Sequence, residues 1–555
     1  MAVLGLGASA ALPAYSQVRS TAAVASPASE SALDLRRAVE GAFAAEPDVI
    51  EVYAARAYAP VWLAADGTAT AAGQALVAAL AQAPRHALPA RRYAAGLDAA
   101  RSGMPAAREI ALTRAFLDYA RDMSSGLLTP RRIDRDMAVT PPRPDRAALL
   151  SGIAAAPDAT AWLAGLAPRT PEYAALLGEL DRLRDLAARP DAWGPQIDAG
   201  PTLREGSAGP RVLQLRARLA AIGASEPGLA QARDNGSVVV VAANAVARDA
   251  PAEAFGAADP QVFDAGLAEA VIRFQRRHGL NEDGAVGPAT LAQLNLSPAF
   301  RADQVAVNIE RIRWLNRDLG QRHIVVNIAG FEMRVIEDGR EIFQSRVVVG
   351  TRANQTPEFS DEMDHLVINP SWFVPRSIAV NEFLPKLRED PGYLERRGYV
   401  LKGVDPWAVD WHAVTRSTFP GTIRQVPGEE NALGKVKFMF PNDFSIYLHD
   451  TPQRRLFARD VRAYSHGCVR VEKPTELAHL LLSYQEADPA AAYQSWLDSG
   501  RERYVNLDQH VPVHITYRTA WIDDAGDRQF RGDIYGRDRL VMTALAAAGV
   551  ALAGG

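Results

Sequence analysis

The stretch "SHGCVR" (465–470) contains the only cysteine of the 555-residue chain. Its six positions carry a hydroxyl, an imidazole, a glycine, a thiol and a guanidinium. A lone cysteine is most often a small buried apolar residue, but a polar run interrupted by glycine makes a poor core strand. A zinc site from His449, His466 and Cys468 is a second alternative, disfavoured because the sequence has no further cysteine and no H-E-x-x-H helix. The pattern favours Cys468 as a nucleophile.

A nucleophilic thiol needs a base, and two histidines are candidates. His466 lies two residues before the cysteine, whereas His449 ends the segment "FSIYLHD" (444–450). That segment alternates as a strand does, so Tyr447 and His449 are expected on one face. The opposite face would carry the apolar residues Phe444, Ile446 and Leu448.

Two further residues of the stretch have properties that suit an acyl-transfer site. Gly467 would let the backbone approach a substrate closely, and such a site also needs donors for a developing oxyanion. Arg470 could hold a carboxylate through two hydrogen bonds. The other eight histidines carry no such context, and we expect them to be structural.

Length and charge limit the classes of protein to consider. A chain of this length should form several domains, since single cores stop growing at roughly 250–300 residues. The net charge of −4 does not indicate a basic surface for binding nucleic acid. Lysine is confined to five positions. One cysteine cannot form an internal disulfide. The apolar start of residues 1–31 is similar to an export signal and linker, although it lacks a basic n-region.

The spacing of apolar residues divides the chain into a multidomain α+β protein. Residues 32–200 have helical periodicity, which is clearest at 110–128, and predict an all-helical N-terminal domain. Residues 201–297 predict a second, helical module interrupted by a polar insert at 224–262. Its first helix should bury one face, made of Val212, Leu215 and Leu219.

From residue 320 to 520 the periodicity changes to that of strands, with a tight turn expected at Asp338-Gly339. An insert at 372–434 is richer in helix signals and carries enough aromatic residues to be ordered. Such long insertions are often functional lids. The segments "VPVHITYRTAWI" (511–522) and "RQFRGDIYG" (528–536) predict a closing hairpin, and residues 521–555 should hold the end of that hairpin and a tail that is either a helix or disordered.

His449, fifteen intervening residues and then Ser465-His466-Gly467-Cys468 resemble the signature of the YkuD-type L,D-transpeptidases, cysteine enzymes that cross-link peptidoglycan. Many members have asparagine two residues after the cysteine, and Arg470 is a variant familiar in Gram-negative members. Residues 204–296 look like a three-helix peptidoglycan-binding module. The N-terminal helices resemble the scaffold domain, and the 372–434 insert the helical capping lid, of the YcbB-like subfamily.

The resemblance implies a mostly-β catalytic domain in which Cys468 is the nucleophile and His449 its base. It places His466 and Gly467 in the oxyanion region. Substrate-binding roles would fall to four residues: Ser465, Arg470, Tyr447 and Trp372. For Trp372, a packing anchor at the root of the lid is an equally weighted alternative.

The activity implied is 3→3 cross-linking of peptidoglycan through a cysteinyl acyl-enzyme, with no metal or organic cofactor. Expected partners are stem peptides and glycan but not nucleic acid, with membrane proximity through the N-terminus and other cell-wall synthases as further candidates. The expected location is the periplasm. Within the fold, L,D-carboxypeptidase, lipoprotein-anchoring and D-amino-acid-exchange activities stay open, and a non-catalytic wall-binding scaffold is the alternative from another class.

Overall fold

The computed structural model describes residues 27–225 and 259–554. The expected export segment at 1–31 therefore lies mostly outside the described residues, and so does most of the predicted 224–262 insert. The chain runs from N-terminal helices through a small helical module to a β-barrel with an insert, and ends in a hairpin and a helix.

The N-terminal part is helical, as predicted. Its α-helices are α1 (Pro27–Ala42), α2 (Pro47–Ala55), α3 (Ala71–Ala81), α4 (Ala90–Arg101), α5 (Pro105–Ser125), α6 (Pro130–Ile133), α7 (Arg146–Ala155), α8 (Ala159–Ala164) and α9 (Pro171–Ala187). The longest, α5, covers most of the amphipathic stretch singled out in the sequence. It begins at a proline, whose missing N–H is unpaired at that position anyway, and ends before Gly126, which has a φ of 89°.

The second module contains α10 (Pro210–Ser225), α11 (Ala265–Arg277) and α12 (Pro288–Leu294). The predicted apolar face of the first helix is buried, with Val212 and Leu215 at 0% and Leu219 at 4% exposure. Asp264 caps α11 by accepting a hydrogen bond from the Leu267 N–H. These helices pack together with α9 in one continuous core.

A long helix that the sequence did not predict, α13 (Pro298–Trp314), follows the module. Ser297 caps its first turn, and nearly all of its side chains are buried. They include charged ones, which find partners: Arg311 pairs with Asp538 at 2.5 Å and Arg313 with Glu310 at 3.2 Å. This helix joins the module, the N-terminal helices and the C-terminal segment.

The mostly-β domain is a closed sheet. Its strands are β1 (Arg322–Asn327), β2 (Glu332–Glu337), β3 (Arg340–Gly350), β4 (Phe359–Ile368), β8 (Val436–Met439), β9 (Leu448–His449), β10 (Ala463–Ser465), β11 (Val469–Val471) and β12 (Arg503–Thr516). They lie in the order β10-β3-β11-β9-β8-β4-β12-β1-β2, and β2 also pairs with β3, which closes the barrel. The predicted turn between β2 and β3 is present, with positive φ at Asp338 and Gly339. Two helices, α16 (Pro474–Leu482) and α17 (Pro489–Asp498), lie between β11 and β12.

The insert at 372–434, called the lid below, is ordered but only partly helical. It contains β5 (Trp372–Phe373), α14 (Arg376–Ile378), a π-helical turn (Ala379–Phe383), α15 (Leu384–Glu389), β6 (Tyr399–Lys402) and β7 (Thr422–Gln425). The three strands form a separate sheet in the order β5-β7-β6, which the sequence did not predict. The lid also has its own apolar core, around Leu387 and Trp411.

The expected closing hairpin is only partly right. The segment "VPVHIT" belongs to β12, which lies between β4 and β1 inside the barrel. The hairpin itself is shorter, formed by β13 (Ala520–Ile522) and β14 (Arg528–Phe530), and the tail continues into α18 (Arg537–Ala548). Val541 and Leu545 of this helix join the core around α13. Across residues 27–225 and 259–554, no helix combines the length and apolar character needed to cross a bilayer.

Candidate active site

Cys468 lies in the sharp turn between β10 and β11. Ser465 Oγ donates to the Cys468 carbonyl at 2.6 Å and accepts from the Gly467 N–H at 3.1 Å. Gly467 has a φ of 119°, a conformation that favours glycine. A Cβ there would also lie only 3.1 Å from Ile446 Cδ1. The residues of the motif are therefore those that this turn requires.

Thr356, which is distant in sequence, supports the turn through a hydrogen bond to the Gly467 carbonyl. The buried Thr356 Oγ1 donates to the Gly467 carbonyl at 2.6 Å and accepts from the Gly350 N–H at 2.9 Å. Tyr535 Oη in turn donates to the Gly350 carbonyl at 2.6 Å. No feature of the local sequence around Thr356 marks it as part of the site.

The thiol of Cys468 is half-buried and has two neighbouring residues as hydrogen-bond partners. It donates to the Ser445 carbonyl at 3.6 Å. Burial raises its pKa to about 11, against the lowering effect of hydrogen bonds from the Tyr447 backbone and side chain. At neutral pH the group is accordingly a thiol.

His449 is buried in β9, with its ring fixed by the next residue. Nδ1 lies 2.5 Å from the Asp450 carbonyl, which can only accept, so Nδ1 carries the proton. Nε2 is then left with a lone pair that can take up a proton. Burial, and next the positive charge of Arg470, lower the pKa of His449 to about 3. The imidazole is neutral at physiological pH and able to act as a base.

The relative positions of Cys468 and His449 follow from the register of their strands. β11 pairs in parallel with β9, and Arg470 lies opposite His449, so Cys468 precedes that pair by two residues. In the described part of the chain the thiol is hydrogen-bonded to Ser445 and Tyr447 and not to the His449 ring. The arrangement is a neutral thiol at the start of β11 and a neutral imidazole on the neighbouring strand β9.

The strand predicted at 444–450 is shorter than expected. Only Leu448–His449 is a strand, because Ser445 has a φ of 55° and breaks the extended chain. Tyr447 and His449 nevertheless lie side by side, with ring centroids 5.6 Å apart.

The other predicted site residues are dispersed around this centre. Arg470 donates to Gln453 Oε1 at 2.8 Å. The exposed ring of His466 points to the lid, where its Nε2 lies 2.5 Å from Glu382 Oε1. Trp372 packs on Tyr399 at the root of the lid, with ring centroids 6.3 Å apart. Ser465 is 2% exposed and keeps its hydroxyl within the turn.

The zinc alternative requires three ligands that converge. Among the described residues, no group of three or more His, Cys, Asp and Glu side chains is placed to hold a metal ion.

Sequence reasoning missed Lys437. It lies in β8 directly opposite His449, and its Nζ is 5.7 Å from the centroid of the Tyr447 ring. One signal was present in the sequence: Lys437 is one of five lysines in a chain whose other basic residues are arginine.

Comparison with known families agrees with this geometry. Residues 321–513 match the model of the YkuD family, described as "L,D-transpeptidase catalytic domain". This part of the chain is thus similar to a YkuD L,D-transpeptidase catalytic domain. Residues 47–180 match the model described as "Scaffold domain", and residues 253–294 the one described as "Putative peptidoglycan binding domain". Scaffold, peptidoglycan-binding and YkuD domains thus follow one another as in the YcbB-like architecture that the sequence resembles.

One curated relative is a Haemophilus influenzae protein named "Putative L,D-transpeptidase", 37% identical over 243 residues. The match covers 43% of this chain and 48% of the relative, so the chain spans about half the length of that relative.

Two solved structures are also similar to part of this chain. An L,D-transpeptidase from Mycobacterium smegmatis has 12% identity and a TM-score of 0.18, over 35% of this chain and 58% of that one. An L,D-transpeptidase from Stackebrandtia nassauensis has 14% identity and a TM-score of 0.21, over 58% of this chain and 96% of that one.

Proposed function

We propose that the protein is a peptidoglycan L,D-transpeptidase that forms 3→3 cross-links through an acyl-enzyme on Cys468. The observation that carries the proposal is the solitary thiol in a glycine turn that leads into β11, next to the strand β9 with a histidine whose Nδ1 is fixed by the Asp450 carbonyl, so that Nε2 keeps a lone pair for a proton. The YkuD and peptidoglycan-binding matches support peptidoglycan as the substrate.

In the first half-reaction, His449 Nε2 takes the thiol proton while Sγ attacks the carbonyl carbon of the third residue of a tetrapeptide stem. The tetrahedral intermediate collapses, its C–N bond breaks, and the terminal D-Ala leaves as an amine that receives the proton from His449. The product on the enzyme is a thioester. The donor bond is exchanged and not hydrolysed, so no ATP is needed.

In the second half-reaction, the side-chain amine of a diaminopimelate on a neighbouring stem attacks the thioester. A new amide forms, the C–S bond breaks, and the proton that the amine nitrogen loses passes through His449 to the thiolate of Cys468. Water competes with the amine for this thioester, and a lid that excludes water favours transfer. The contact of Glu382 with His466 brings the lid directly to the turn at residues 465–468, called the catalytic turn below.

The remaining residues receive supporting roles in this proposal. His466 and Gly467 belong to the oxyanion region, Arg470 and Tyr447 contact the stem peptide, and Ser465 holds the turn. For Trp372, the packing on Tyr399 favours an anchor of the lid. Such a reaction on the cell wall places the protein outside the cytoplasm, and we propose the periplasm.

Replacement of the nucleophile tests the proposal. Cys468→Ala should give no 3→3 dimers when purified protein is incubated with tetrapeptide muropeptides and the products are analysed by mass spectrometry. A thiol-reactive carbapenem should add its mass to the wild-type protein and not to the variant. Tripeptide without dimer would identify the carboxypeptidase alternative, and dimers formed by Cys468→Ala would contradict the nucleophile.

A further inference from the structure

Lys437, His449 and Arg470 form one row across three neighbouring strands. Lys437 in β8 pairs with His449 in β9, and His449 pairs with Arg470 in β11. Directly paired residues project their side chains to the same face of a sheet. A cation therefore lies on each side of the imidazole, on the face that also carries Tyr447.

Among residues 27–225 and 259–554, neither cation has a carboxylate partner. In the described parts of the chain, no Asp or Glu oxygen forms an ion pair with Lys437 or Arg470. Within the described residues, Arg470 donates one side-chain hydrogen bond, to Gln453, and its buried Nε has no partner. Glu502 attracts Lys437 from a distance, but its carboxylate is already held by the Ser371 N–H at 3.1 Å and by Ser371 Oγ at 2.8 Å.

Unpaired cations of this kind are costly, because a charge removed from water loses solvation that only a counter-charge or hydrogen bonds restore. Burial lowers the pKa of both Lys437 and Arg470, which shows that desolvation affects each of them. Two arginines of the barrel, by contrast, have carboxylate partners: Arg346 pairs with Glu472 and Arg322 with Glu337. Lys437 and Arg470 are left available for an anionic group from outside the chain.

We propose that Lys437 and Arg470 together bind one carboxylate group of the donor peptide, above His449. The inference rests on the proposed function and deepens it. Neighbouring strands are about 4.8 Å apart, so roughly 10 Å separates the two outer strands, a span that two long side chains can close onto one carboxylate. Lys437 thereby becomes a specificity residue for the donor.

The position of the site narrows the choice of carboxylate. Arg470 is two residues from Cys468, about 7 Å along an extended chain. The bound group must therefore lie within about one residue of the carbonyl that the thiol attacks. The attacked bond joins residues three and four of the stem, and each of them has one free carboxylate: the side-chain carboxylate of diaminopimelate and the terminal carboxylate of the leaving D-Ala.

Binding would also affect the base. The charges of Arg470 and Lys437 both lower the pKa of His449. A carboxylate between them offsets that charge, so the pKa of His449 should rise when the donor is bound. The base would then accept the thiol proton more readily with substrate in place than without it.

The test measures binding without turnover, in the full-length Cys468→Ala protein titrated with synthetic tetrapeptide in a calorimeter. Adding Lys437→Met should weaken binding roughly 10- to 100-fold, the range expected for loss of a hydrogen bond to a charged group. Lys437→Arg should restore most of the affinity. The matched control is Lys435→Met, which removes an exposed lysine two positions away and should leave the Kd unchanged.

Two modified donors identify the carboxylate. A peptide amidated at its terminal D-Ala, or at the diaminopimelate side chain, should lose affinity for the Lys437-containing protein if that group is the one bound. The same peptide should show no further loss with Lys437→Met. The Lys437→Met and Arg470→Met effects should also be non-additive, because both residues would bind one group.

The proposal is overturned if tetrapeptide binds Lys437→Met and Lys437→Arg as tightly as it binds the parent protein. It is also overturned if both amidated donors bind with the same Kd as the free acid. Far-ultraviolet circular dichroism checks that each variant is folded. Acylation of the wild-type protein, measured separately by mass, distinguishes failure of the proposed enzyme activity from failure of carboxylate binding.

Discussion

Cys468 and His449 have pKa values that favour a neutral pair at rest, about 11 for the thiol and about 3 for the imidazole. Burial is the largest cause of both shifts, and it acts in opposite directions because it disfavours the thiolate and the imidazolium alike. Many reactive cysteines instead have a lowered pKa and a thiolate at neutral pH. Proton transfer in this site should accompany the attack on substrate.

The pH dependence of alkylation tests the neutral pair. The thiolate fraction of a group with a pKa of about 11 rises tenfold per pH unit below that value. The rate of iodoacetamide addition to Cys468 should therefore rise steadily from pH 6 to about 10, followed by intact mass. Cys468 is the only cysteine, so one adduct reports one site. A rate that is already at its plateau by pH 7 would mean that a thiolate–imidazolium pair exists at rest.

Thr356 is predicted to act on activity through the turn that it supports. Thr356→Val keeps the shape of the side chain but removes the hydrogen bond to the Gly467 carbonyl, which is buried. We expect a loss of about 1–3 kcal/mol in the free energy of unfolding, measured in urea, and slower acylation of Cys468. Thr356→Ser retains the hydroxyl and should be closer to the wild type in both measurements. Unchanged acylation in Thr356→Val would show that the turn does not depend on this bond.

The sequence was sufficient to predict the residues whose chemistry is local, and insufficient for those that depend on tertiary contacts. The roles proposed for Cys468 and His449 could be inferred from one motif and its spacing. Thr356 could not, since it lies 111 positions from the residue that it supports. Lys437 is likewise placed by strand pairing, which a single sequence does not reveal.

At the level of elements, the lid is held to the catalytic turn by Glu382 and His466, both about half exposed. Even a fully charged pair at such an exposed position contributes only about 0–1 kcal/mol, so Glu382→Gln should hardly change the unfolding midpoint. It should loosen the lid, raise hydrogen exchange in residues 372–434 and increase tripeptide relative to dimer among the products. Glu389→Gln, at an exposed position elsewhere in the lid, is the matched control. An unchanged ratio of tripeptide to dimer would show that the contact between the lid and the turn does not keep water from the thioester.

The elements that the sequence missed share a physical reason. The strands of the lid are two to four residues long, too short for alternation to be recognised. In α13 the charged residues are buried, with Arg311 and Arg313 in ion pairs, so the helix has no exposed polar face for periodicity to detect. The helices α5 and α10 were predictable because one side of each faces water, which gives the sequence alternating polar and apolar sides at helical spacing.

In the whole molecule, the C-terminal helix connects the helical core to the catalytic turn. Val541 and Leu545 of α18 pack in the core that contains α13 and the peptidoglycan-binding module. At the start of the same helix, Arg537 pairs with Glu358 at 3.0 Å and donates to the Thr356 carbonyl at 3.0 Å. Thr356 in turn holds Gly467. The chain of contacts makes the catalytic turn dependent on a segment that follows the YkuD match.

Arg537→Met tests this dependence. It leaves the buried Glu358 without its partner, and removal of one member of a buried ion pair costs about 3–5 kcal/mol, which urea unfolding should show. Acylation of Cys468 should slow because the Thr356 carbonyl loses its donor, while sedimentation with purified peptidoglycan should be unaffected.

The control is Arg539→Met, an exposed position on the same helix. Adding Glu358→Gln should recover part of the stability, since an amide is less costly than an unpaired carboxylate, but not the lost bond to Thr356. If stability falls while acylation keeps its wild-type rate, α18 anchors the fold without supporting the active site.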